Sequence, residues 1–177
     1  MFLLYLCIMS NVIIYLNGVE PYLKQWFINE HGGNDPVNLV RGSAESNILK
    51  LFLKKRPDDV LPESPLPDAL AIFAPSFKKQ DPRTYNYLPH SAKVALHQCI
   101  KNRFDVQMWH DLHRFGNVGM QNDELVYAWM EAHGIELSER NWNAIVKRYQ
   151  RKRNIYLTSI RRSDKNCTTS EQKNDDV

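Results

Sequence analysis

Ser138-Glu-Arg-Asn-Trp142-Asn-Ala-Ile145-Val146-Lys-Arg-Tyr149-Gln-Arg-Lys-Arg-Asn-Ile-Tyr-Leu157 is the stretch from which the rest of the chain is most readily read. Its apolar side chains Trp142, Ile145, Val146 and Tyr149 fall at the i, i+3, i+4, i+7 spacing of a single helix face. Ser138 stands ahead of them as an N-cap, a residue type whose side-chain oxygen accepts from a first-turn amide. The opposite face carries Arg140, Lys147, Arg148, Arg151, Lys152 and Arg153, with Arg161 and Arg162 following. Glu139 is the only acid between Ser138 and Arg162, so the helix is amphipathic with a cationic outer face.

One step upstream, Asn122 is placed to cap a second helix whose inner face is Leu125, Val126, Trp129 and Met130 and whose end falls near Gly134. A short helix, a turn and a longer basic helix over Asn122 to Leu157 resemble the layout of a helix-turn-helix reader of duplex DNA. The resemblance is architectural. It implies that phosphates neutralise Arg140, Lys147, Arg148, Arg151, Lys152 and Arg153, while Asn141, Asn143 and Gln150 reach base edges. The plain alternative is a solvated helix face whose C-terminal cations complement the macrodipole. A third reading docks the same helix into an acidic groove on a protein partner.

Further upstream the pattern stays helical back to Pro89. Ala92, Ala95, Leu96, Cys99 and Ile100 form one stripe, and Val106, Met108, Trp109, Leu112 and Phe115 form the next, with a break at Gly116 and Gly119. Before Pro89 the chain is mixed. Val12-Ile-Ile-Tyr-Leu16, Val37-Asn-Leu-Val-Arg41 and Ala69-Leu-Ala-Ile-Phe-Ala74 read as strands. Pro21 opens a helix that stops at Gly32-Gly33, and Ser43 with Glu45 opens another through Ile48, Leu49, Phe52 and Leu53, ended by Pro57. Pro57, Pro62, Pro65 and Pro67 make residues 57–68 an extended connector, read as a loop or sub-domain boundary. Residues 78–87 read as a polar, aromatic-rich loop in which Tyr85 and Tyr87 are the rings best placed to stack on bases. The expected fold class is therefore α+β: a small mixed sheet-and-helix part over residues 9–77, then an all-helical bundle over 88–162 with a helix-turn-helix-like final pair. Residues 163–177, almost without apolar side chains, are expected to be a flexible polar tail.

The net charge of +3 is too mild to identify a nucleic-acid binder, and the placement of the cations is the more informative feature. Cys7, Cys99 and Cys167 are odd in number and widely spaced, which fits neither a disulfide framework nor a cysteine zinc knuckle and points to a reducing, cytoplasmic setting. The opening Met1-Phe-Leu-Leu-Tyr-Leu-Cys-Ile8 is apolar like a signal peptide but lacks a basic start and a small-residue cleavage site. Met9 is an alternative start, with residues 1–8 an upstream extension. Ser10, Asn11 and Asn17 cut the apolar run short of a membrane span.

Signatures of catalysis are missing: there is no phosphate-binding loop, no dinucleotide fingerprint and no nucleophile elbow. His110 and His113 are i, i+3 neighbours and the weak candidates for metal binding, but two ligands without a spaced third and fourth do not make a zinc site. Asp58, Asp59 and Glu63 in the connector are the acids a metal-assisted enzyme would need; on a loop they read as solvating charge. Trp109, Trp129 and Trp142 with Tyr127 and Tyr149 read as core. The sequence thus favours a non-enzymatic double-stranded DNA binder without a cofactor. The N-terminal part is left for a homodimer or protein contact.

Overall fold

A computed structural model describes residues 12–115 and 122–171, and side chains within 12–114 and 123–162. Their contacts define two compact units. The first takes the chain through Phe104 together with His133–Ile135, and the second takes Asp105–Ala132 and the chain from Glu136. The class is α+β, as expected, with the strands among the described residues all in the N-terminal half.

In the first unit, strand β1 (Ile13–Leu16) pairs antiparallel with a later strand over Leu70–Phe73, with Ile13 opposite Phe73 and Leu16 opposite Leu70. Alternation buries Ile14, Leu16, Leu70 and Ile72. The expected strand at 37–41 reduces to one parallel bridge, Val37 to Ile72, in which Val37 donates to the Ala71 carbonyl at 2.8 Å and accepts from Phe73 at 3.0 Å. Val37 is fully buried, but Val40 is 67% exposed and the chain turns at Val40–Ser43 through Gly42 at φ +88°. Alternating side chains without a second packed surface do not extend a strand.

Helix α1 (Pro21–Glu30) begins with proline at its first position and buries Tyr22, Leu23, Trp26 and Phe27. Trp26 meets Phe104 edge to face at 5.3 Å between centroids, within the range that favours aromatic pairs. Helix α2 (Ala44–Phe52) is capped as the sequence predicts, the Ser43 Oγ accepting from the Ser46 amide at 3.1 Å. Strand β2 (Lys54–Lys55) follows directly, then the proline-rich connector, then β3 (Leu70–Phe73) and β4 (Tyr85–Tyr87). The connector is neither helix nor strand but is tethered: Asn17 donates to Glu63 at 3.1 Å and accepts from the Leu66 amide at 3.2 Å, and Lys93 pairs with Glu63. The connector thus lies inside the first unit instead of bounding it. Of the three connector acids, Glu63 is structural and not merely solvating.

Helix α3 (His90–Phe115) is one helix where two stripes suggested two. Its buried line is Ala92, Leu96, Ile100, Phe104, Met108 and Leu112, and Val106 is 68% exposed instead of inward. Each four-residue step overshoots a turn by about 40°, so the line winds around the helix and only parts of it match a fixed-face pattern. The boundary between the two units falls within this helix.

The second unit packs the end of α3 with α4 (Asn122–Ala132) and α5 (Glu139–Glu171). Met108, Leu112, Leu125, Val126, Trp129, Met130, Ile145 and Tyr149 form its core. Trp129 donates its indole N–H to Asp111 at 3.1 Å, and Tyr127 stacks on Trp142 at 5.8 Å. The break at Gly116 and Gly119, the Asn122 side chain and the reading of residues 1–8 lie outside what is described. Helix α5 continues to Glu171, into the stretch read as a polar tail, because lengthening a formed helix avoids the cost of a new nucleus. No helix among the described residues is long and apolar enough to cross a membrane.

Candidate nucleic-acid interface

Helix α5 is set by its two ends of information: a cap and an apolar stripe. The Ser138 carbonyl accepts from the Trp142 amide at 2.9 Å and its Oγ from the Asn141 amide at 3.4 Å. Ile145 and Tyr149 are buried, and Trp142 and Val146 half-buried, which fixes the rotation of the helix.

That rotation divides the basic residues into two groups. Arg148 turns inward to Asp105 on α3, with Nε donating to Oδ1 at 2.6 Å and Nη2 to Oδ2 at 3.4 Å. Lys152 approaches the same carboxylate at 3.9 Å. These two cations are held by packing between helices. Arg140, Lys147, Arg151 and Arg153 are exposed, and among the described residues no acid lies in ion-pair reach of them. Arg161 and Arg162 extend the exposed cations along the helix. At about 100° per residue, Arg140, Lys147 and Arg151 share the side opposite Ile145 and Tyr149.

The polar candidates divide as well. Gln150 is exposed and Asn143 half-buried, so both have a route to a ligand. Asn141 is 2% exposed and donates to the Glu136 carbonyl at 3.1 Å, so it serves the start of the helix and not a base edge. Sequence reasoning missed Asp105, the acid that claims Arg148 and Lys152. No local spacing connects residues so far apart in the chain.

His110 and His113 are not grouped with further metal-binding side chains among the described residues. His110 is exposed beside Asp111, and His113 stacks on Trp109 at 4.5 Å with Tyr156 edge-on at 4.8 Å. No group of three or more His, Cys, Asp or Glu side chains among the described residues is arranged to hold a metal ion. Trp109 belongs to the same ring cluster through Tyr149 and Tyr156, a packing role in the second unit.

No protein-family model, characterised protein or solved structure matches the chain.

Proposed function

We propose that the protein is a non-enzymatic nucleic-acid-binding protein that takes double-stranded DNA on the outer face of α5, as a regulator or accessory factor. The observation that carries this reading is the row of exposed, acid-free cations Arg140, Lys147 and Arg151 opposite the buried stripe, with Gln150 and Asn143 beside it. Such a row neutralises phosphates and releases counterions, and flanking amides offer bidentate contacts to adenine. Arg148 and Lys152, spent on Asp105, have the smaller part in this reading.

The test is anisotropy of a labelled random duplex at several salt concentrations. Wild type is expected to bind with a steep salt dependence. Lys147→Gln with Arg151→Gln is expected to flatten the slope of log K against log salt by about 1.8, at about 0.9 per lost phosphate contact. Absence of salt-dependent binding at low ionic strength sinks the reading.

A specific observation favours one alternative, a protein-docking helix. Ile155 is 65% exposed, and Leu157 and Ile160 are 39% exposed, on the part of α5 beyond its buried stripe. Under that reading Leu157→Ser with Ile160→Ser abolishes capture of a protein partner and leaves duplex binding intact.

A further inference from the structure

We propose that a basic, ring-lined groove on the first unit binds single-stranded nucleic acid. The groove has a volume of about 1050 Å3, and Lys55, Lys78, Lys79, Arg83, Phe77 and Tyr85 line it. None of these residues belongs to α5, so the proposal stands apart from the duplex reading.

The local chain explains why cations and rings meet here. Phe77-Lys-Lys-Gln80 closes a tight turn, with the Gln80 amide donating to the Phe77 carbonyl at 3.0 Å and the Phe77 amide to the Gln80 carbonyl at 3.4 Å. Its two central residues, Lys78 and Lys79, are therefore held out at the tip and exposed. Strand β2 pairs antiparallel with β4 so that Lys55 faces Tyr85, and the Lys55 Nζ lies 5.9 Å from the Tyr85 ring centre. That separation is within cation–π range and keeps the ring beside the charge. Phe77 and Tyr85 are half-buried, and both line the groove.

Among the described residues that line the groove Asp81 is the one acid, and it is bound to the backbone of its own turn. Asp81 Oδ1 accepts from the Arg83 amide at 2.9 Å, while its carbonyl takes the Thr84 amide at 3.0 Å and the Tyr85 amide at 2.8 Å. Asp81 thus shapes the approach to β4, and the exposed lysines Lys55, Lys78 and Lys79 outnumber it among the described lining residues.

Charge and rings together select the occupant. Lysines at a turn tip alone suit any polyanion, but rings held beside them add stacking, which needs bases with free faces. A duplex keeps its bases stacked on one another, and an acidic peptide has none. A single strand offers both phosphates and open base faces.

The experiment uses the full chain carrying Arg140→Gln, Lys147→Gln and Arg151→Gln, which removes the row of cations proposed to hold the duplex. A labelled oligothymidylate of about 16 nucleotides, near the upper footprint of single-strand grooves, is the probe. Binding is expected, weakening with salt at a slope of about −0.7 per phosphate contacted. Lys78→Gln with Lys79→Gln lowers the slope by about 1.4, and Tyr85→Leu weakens binding about tenfold or more. The lysine pair sits at an exposed turn tip, so its loss does not threaten folding, and circular dichroism checks the Tyr85 variant. Three results overturn the proposal: no binding at low salt, unchanged binding by folded Tyr85→Leu, or equal displacement of the strand by polyglutamate at matched charge. Failure of duplex binding in the wild type leaves these outcomes unaffected, so the two readings fail separately.

Discussion

Arg148 and Asp105 form a two-point ion pair, 2.6 Å at Nε and 3.4 Å at Nη2, with about a fifth of either side chain exposed. The pair joins α5 to α3 and draws Arg148 inward, away from the exposed row Arg140, Lys147 and Arg151. Charge-assisted, forked contacts of this kind are the strong ones, and breaking one side strands the other. Asp105→Asn is therefore expected to cost about 1–3 kcal/mol in urea unfolding. Duplex affinity at fixed salt should hold or rise, because an acid beside the cationic face is gone. A fall in affinity by the folded variant, with stability unchanged, refutes this division of the stripe.

Glu20 sits at the N-cap of α1 and takes Lys101 at 2.8 Å and His97 at 2.9 Å, both from α3. Burial pushes its carboxyl up, but the hydrogen bonds from Lys101, its own backbone and His97, with the Lys101 charge, outweigh that and hold it at about 2. A carboxyl whose folded value lies below its unfolded one stabilises above the unfolded value and loses that contribution as pH falls towards the folded one. The stability difference between wild type and Glu20→Gln should be full at neutral pH and shrink between about pH 4.5 and 2. Its size is expected to be about 1 kcal/mol, since a third of the side chain meets solvent and is screened. A difference that stays constant across that range contradicts the assignment.

Local signals were legible and long-range ones were not. The α5 face followed from Trp142, Ile145, Val146 and Tyr149, the α2 cap from Ser43, and the start of α1 from Pro21, since each is decided within one or two turns of chain. The fate of Arg148 depended on Asp105, a residue on another helix that no periodicity reveals. The continuity of α3 was hidden because its buried line drifts around the helix. The stretch 37–41 alternated like a strand, but only Val37 found a partner. Lys55 and Tyr85 are far apart in the chain, so their pairing across β2 and β4 became visible only in the fold.

Glu45 is 1% exposed in the first turn of α2, and Arg103 reaches it at 3.3 Å while also approaching Glu30 at 3.8 Å. A buried carboxylate that loses its cation is left uncompensated. Arg103→Gln is expected to destabilise by about 2–3 kcal/mol, less than for a fully buried pair because Arg103 is 38% exposed. A second readout is Cys99 beside them. Burial pushes its thiol up, the Glu45 charge adds to that, and Arg103 opposes it. Alkylation of Cys99 should be slower than that of an unperturbed thiol at the same pH, and slower again in folded Arg103→Gln. Faster alkylation in that variant, with the fold intact, contradicts the electrostatic account.

Gly134 and Gly33 share a left-handed backbone, at φ +65° and +76°, yet differ in what surrounds them. A Cβ on Gly134 meets the Asn29 side chain at 2.9 Å, closer than real contacts allow, whereas on Gly33 it meets nothing within 4 Å. Both alanine variants bear the backbone penalty of about 1–2 kcal/mol that a Cβ brings in this conformation. Only Gly134→Ala must also displace Asn29 at the end of α1. Thermal or urea unfolding is expected to place Gly134→Ala about 1 kcal/mol or more below Gly33→Ala, in the range typical of overpacking. Equal losses in the two variants mean that Asn29 gives way freely and that the glycine is required for its backbone conformation alone.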